Sequence, residues 1–122
     1  MVEDRLRDGT RIAQLLSSEI TGLASLDALR VADADPDVEP TVDGTLAYRV
    51  ERDGDDFAEV FVHPDRARLE ILDESDHEVA VAAAEREGLR VRPKAVRPPR
   101  TLIFVEDGAQ VKRAARVLES LA

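Results

Sequence analysis

Apolar and polar positions alternate along the middle of the chain, and the alternation predicts a three-stranded meander. In TLAYRVER (residues 45–52), Leu46, Tyr48 and Val50 point one way, and Thr45, Ala47, Arg49 and Glu51 the other. A period of two is that of a strand with one buried face. Asp53-Gly54 follows, a pair that readily supplies the positive φ angles of a tight hairpin. FAEVFVH (57–63) is apolar on both faces, with Phe57 and Phe61 on one side and Ala58, Val60 and Val62 on the other, so it reads as the central strand. Pro64-Asp65-Arg66 forms the next turn, and RLEILD (68–73) alternates again, with Leu69 and Ile71 set against Glu70 and Leu72.

Helical spacing brackets this meander. Thr10 is a candidate N-cap for a helix whose apolar stripe is Ile12, Leu15, Leu16, Ile20 and Leu23. Ser75 and Glu78 have the spacing of a capping box for a second, alanine-rich helix through Val79, Ala82, Ala83 and Arg86, with Gly88 as its C-terminal stop. LRVRP (89–93) and TLIFVE (101–106) read as two further strands, the second apolar on both faces and so inside the sheet. Asp107 and Gln110 open a last helix with Val111, Ala114, Ala115, Leu118 and Leu121 on one stripe. Residues 28–33 read as an edge strand, and 33–44, with two prolines and a glycine, as a loop. The expected fold is α+β in two layers: an antiparallel or mixed sheet of five or six strands, helices mainly on one face, and the order α-β-β-β-α-β-β-α. This element order is similar to that of the type III secretion chaperones, a two-layer dimeric scaffold.

Length bounds the chain to one domain of ordinary size: it has 122 residues. It has no cysteine, which excludes disulfides and thiolate metal sites. No apolar run is long enough to span a membrane, and the first residues lack the apolar core of a signal peptide, so a cytoplasmic protein is expected.

Charge changes the picture most. Acids outnumber bases 26 to 17, the net charge is −9, and the only lysines are Lys94 and Lys112. Such a balance suits molar salt, where the Debye length shrinks to about 3 Å and carboxylates no longer repel at a distance. In this whole-chain character the sequence resembles small uncharacterised proteins of haloarchaea. That resemblance implies a cytoplasm rich in potassium and no particular activity.

Within this acidic chain the charge is segregated. Between Gly88 and Val105 there is no acid, and Arg90, Arg92, Lys94, Arg97 and Arg100 stand together. Between Ala24 and Glu78 there are 17 acids and five bases. The basic segment is a candidate surface for an anion or an acidic partner, since arginine suits bidentate contacts with phosphate and carboxylate. The alternative is that these cations pair with acids on neighbouring strands, such as Glu59 or Glu70. No aromatic residue interleaves the segment, which leaves base stacking unsupported.

Other chemistry is sparse. Asp33, Asp35, Asp37 and Glu39 alternate as calcium ligands do, but Val38 and Gly44 stand where an EF-hand requires Gly and Glu. His63 and His77, with Asp65, Asp73 or Asp76, would form a metal or acid–base site if the fold brought them to the same end of the sheet. The serines lack a nucleophile-elbow context, and there is no phosphate-binding glycine motif. No enzyme activity and no cofactor are therefore expected. The role expected on these grounds is a protein–protein interaction or regulatory module that self-associates as a homodimer, because both faces of 57–63 and 101–106 are apolar. A nucleic-acid-associated regulator using the basic segment is the alternative.

Overall fold

A computed structural model describes residues 6–122 of the chain. Six strands form one sheet: β1 (Leu29–Ala32), β2 (Thr45–Arg52), β3 (Asp55–Val62), β4 (Ala67–Ile71), β5 (Val91–Lys94) and β6 (Arg100–Val105). Their order is β1-β2-β3-β4-β6-β5, and every pairing is antiparallel. Three helices, α1 (Gly9–Gly22), α2 (His77–Arg86) and α3 (Ala109–Leu121), pack on one face. α1 lies over β1, β3 and β4, α2 over β6 and β5, and α3 lies between them against both. The architecture is α+β in two layers, as the alternation predicts. β1 is the expected edge strand and β3 and β6 lie inside the sheet.

The β2–β3 hairpin forms where Asp53-Gly54 predicts it. Both turn residues are left-handed, at φ 53° and 88°, which is the backbone of a two-residue hairpin loop matched to strand twist. Two β-bulges correct the expected facing of the side chains. Leu46 is opposite Phe61 and Tyr48 opposite Val60, so Ala47 is an extra residue; it turns into the core with Tyr48, and Leu46 moves to the other face, 37% exposed. Val50 is opposite Ala58 and Glu51 opposite Asp56, so Phe57 is also extra; it joins the core, while Phe61 does not. Alternation alone put Leu46 with Tyr48, and Phe57 with Phe61. One inserted residue in each strand reverses both assignments.

The helix starts also differ from the expected caps. Asp8, rather than Thr10, caps α1 through its Oδ1, which accepts from the Arg11 N–H at 3.2 Å. The expected Ser75–Glu78 capping box does not form. Asp73 Oδ1 instead accepts from the Ser75 N–H and hydroxyl, both at 2.9 Å, ahead of a short 3₁₀ turn. That turn rotates α2, so Ala80, Ala83 and Ala84 face inward and Val79 faces solvent. These alanines let α2 lie close to α3, whose Ala114 and Ala115 are also buried. At α3, Asp107 Oδ1 accepts from the Gln110 N–H at 3.0 Å and Gln110 Oε1 from the Glu106 N–H at 2.8 Å, a reciprocal cap at the predicted residues.

Three long-range contacts lock helices to sheet. The buried Tyr48 hydroxyl donates to the Ala13 carbonyl at 2.7 Å, joining β2 to α1. Arg52 stacks on Phe57, pairs with Asp76 at 3.0 Å and donates to the Leu121 carbonyl at 2.8 Å, so it ties the start of α2 to the end of α3. At the start of α1, the Gly9 N–H donates to the Pro64 carbonyl at 3.2 Å, and the two backbones touch there. Among the described residues no helix is long and apolar enough to cross a membrane.

Candidate functional site: the uncovered face of the sheet

All three helices lie on one side, so the other face of the sheet is bare of secondary structure among the described residues. Register identifies what it displays. One row runs across four strands: Leu46 on β2, Phe61 on β3, Arg68 on β4 and Phe104 on β6. The Phe104 N–H bonds to the Arg90 carbonyl at 3.0 Å, which brings Arg90 to the end of that row. The next row holds Arg49, Glu59, Glu70, Leu102 and Arg92.

Glu59 and Glu70 stand directly opposite each other, a destabilising placement for like charges unless a cation intervenes. Arg100 supplies it: one guanidinium nitrogen, Nη1, donates to Glu59 at 2.7 Å and to Glu70 at 3.0 Å. Glu70 also accepts from Arg68 Nε at 2.8 Å and lies 3.4 Å from Lys94 Nζ. It is fully buried, although it sits on the uncovered face, because these cationic side chains roof it. Burial disfavours the charge on Arg100, but the hydrogen bonds to Glu70 and Glu59 outweigh that cost and hold its pKa above the ordinary value.

Arg68 is the hub of the first row. Its guanidinium lies over the Phe61 ring at 4.5 Å and donates to His63 Nε2 at 2.9 Å and to the Asp43 carbonyl at 3.2 Å. A guanidinium has no lone pair to offer, so Nε2 accepts and the proton of His63 sits on Nδ1. Nδ1–H then donates to the Val42 carbonyl at 2.9 Å. Burial lowers the pKa of His63, and the charges of Arg66 and Arg68 lower it further against the opposing pull of the Val42 bond. Gly44 closes the loop over this pair at φ 94°; a Cβ there would come within 2.9 Å of Arg68.

The structure disperses the candidate histidine site. His63 lies at the β3–β4 turn, and His77 lies at the opposite end of β4, where its Nδ1 is 2.7 Å from the Thr101 hydroxyl. Among the described residues no group of three or more His, Asp or Glu side chains is placed to hold a metal. In the acidic loop, Asp33 pairs with Arg49 and Asp35 accepts from the Asp37 N–H at 2.9 Å, so the alternating carboxylates do not converge.

The basic segment divides. Lys94 and Arg100 belong to the Glu70 cluster, and Arg90 pairs with Glu106 at 3.1 Å. Arg90 and Arg92 both lie over the Phe104 ring, at 4.7 and 5.7 Å. Arg92 and Arg97 have no carboxylate partner among the described residues. Sequence reasoning missed the Arg68–His63 link, since the loop carbonyls that complete it come from 20 or more residues away. It also missed the roofing of Phe104, which needs the β5–β6 pairing.

Small cavities lie elsewhere among the described residues. One, of about 280 Å³, is mostly apolar and sits between α1 and the 34–38 loop against Tyr48. Another, of about 250 Å³, is polar and lined by Arg7, Arg66 and three acids.

Compared with known protein families, the chain matches a family of unknown function, DUF7993, over residues 1–122. The chain belongs to the DUF7993 family. No curated protein and no solved structure matches it. Membership in DUF7993 carries no assigned activity, so the surface described above is the ground for a functional reading.

Proposed function

We propose that this DUF7993 protein is a non-catalytic protein–protein interaction module that self-associates through the uncovered face of its sheet, in a salt-rich cytoplasm. The carrying observation is that face itself. It spans six strands, has no helix over it among the described residues, and displays Leu46, Phe61 and Leu102 at least partly open to solvent. Sheets with one such face commonly bury it against a second sheet at about 10 Å separation. A paired, charge-bearing surface of this kind confers selectivity as well as contact area. Light scattering behind a sizing column, in molar KCl, tests the reading. The wild type is expected to elute as a dimer and Leu46→Glu as a folded monomer. A wild type that stays monomeric across concentrations overturns it.

One observation favours a second reading. Arg92 and Arg97 have no carboxylate partner within the described structure, which leaves them free to meet an anion such as a nucleic-acid phosphate. Charge reversal at both should then abolish nucleic-acid retention without unfolding the protein; binding by the doubly reversed variant rules this reading out.

A further inference from the structure

The uncovered face is nearly self-complementary, and this says how two copies would meet. The inference rests on the reading of that face as the self-association surface. Six strands have their midpoint between β3 and β4. Acids outnumber cations on one side of that line, where Asp33, Glu51, Asp56 and Glu59 stand with Arg30 and Arg49. Cations outnumber acids on the other, where Arg68, Lys94 and Arg100 surround Glu70, Arg90 pairs with Glu106, and Arg90 and Arg92 lie over Phe104.

Two sheets brought face to face by a two-fold axis have two simple arrangements. An axis running across the strands superposes each strand on its own copy, so acids meet acids and β5 meets β5. An axis running along the strands, between β3 and β4, superposes β1 on β5, β2 on β6 and β3 on β4. We propose the second: a homodimer whose two-fold axis runs along the strands at the β3–β4 midline. The row Leu46, Phe61, Arg68, Phe104 then folds onto itself. Leu46 of one copy faces Phe104 of the other, and Phe61 of one faces Arg68 of the other. Each contact occurs twice, as an isologous interface requires. An apolar pair and a cation–aromatic pair result, with the more acidic half of each copy over the more basic half of its mate. Opposite charges at the rim select this orientation over the like-on-like one.

The absence of cysteine makes the test clean. Leu46→Cys and Phe104→Cys are prepared separately, mixed, and treated with a bismaleimide whose reach matches the roughly 10 Å between packed sheets. The mixture is expected to give a heterodimeric product, and Leu46→Cys alone none, because two Leu46 positions lie three strand spacings apart laterally, about 14 Å. Should Phe104→Cys fold poorly, Arg90→Cys replaces it, since Arg90 ends the same row and is exposed. Efficient self-linking of Leu46→Cys would overturn the proposed axis while leaving the face as the interface. A dimer by light scattering that links in neither experiment would overturn both the axis and the use of this face.

Discussion

His63 has both ring nitrogens committed, one as a donor to Val42 and one as an acceptor from Arg68. Protonating Nε2 would set an imidazolium against a guanidinium. With its folded pKa held below the ordinary 6.5, the unfolded chain takes up the proton first. Stability is therefore full above that ordinary value and is lost as pH falls through it. Urea midpoints at about pH 7.5 and 5.5 should show this loss, and His63→Gln should flatten that part of the profile. Glu70 makes a sharper case. Fully buried under three cations, its replacement by Ala strands Arg68, Lys94 and Arg100 around an empty centre, at a cost of about 3 kcal/mol. Glu59→Gln, partly exposed and paired with Arg100 alone, should cost about 1 kcal/mol or less in the same denaturation series. Gly9 and Gly22 lie in the same helix and should respond in opposite directions. A Cβ at Gly9 would sit 1.8 Å from the His63 carbonyl oxygen, so Gly9→Ala should destabilise by roughly 1–3 kcal/mol. Gly22 has nothing within 4 Å, and Gly22→Ala should raise the thermal midpoint slightly.

Among the elements, the caps and bulges separate what local sequence encodes from what it only permits. Asp107 and Gln110 cap α3 as their spacing predicts, and Asp107→Ala should cost about 1 kcal/mol in chemical denaturation. At α2 the Ser75–Glu78 spacing is equally good, yet Asp73 takes the role because a 3₁₀ turn intervenes. Asp73→Ala should therefore destabilise more than Ser75→Ala; the reverse ranking would reinstate the capping box. Strand existence was legible from alternation, and so was the Asp53-Gly54 hairpin. The facing of Leu46 and Phe57 was not. A bulge is one residue counted against the partner strand, and nothing in the bulged strand alone records that count. The candidate site shared this limit. Glu59 and Glu70 could be named as partners for the basic segment, but which cation reaches which acid depends on β4 pairing with β6, 30 residues away.

For the whole molecule, the excess of carboxylates sets the response to salt. Many of those among the described residues, such as Asp37, Glu39 and Asp53, lie in loops and turns outside the ion pairs, so their mutual repulsion weakens as the Debye length falls from about 10 Å at 0.1 M to about 3 Å at 1 M. The thermal midpoint should accordingly rise with KCl over that range; a flat profile would detach the charge from any adaptation to salt. The same screening leaves contact pairs such as Arg68–Glu70 largely intact, since burial shields them from ions. The sequence by itself determined the kind of elements, the apolar stripe of α3, the hairpin turn and the segregation of charge, because these depend on periodicity and on residues adjacent in the chain. The tertiary structure decided strand order, the two bulges, the gathering of all three helices on one face and the burial of Glu70 beneath cations from three strands. Those features arise from contacts between distant segments, whose energies are settled only when the layers close on one another.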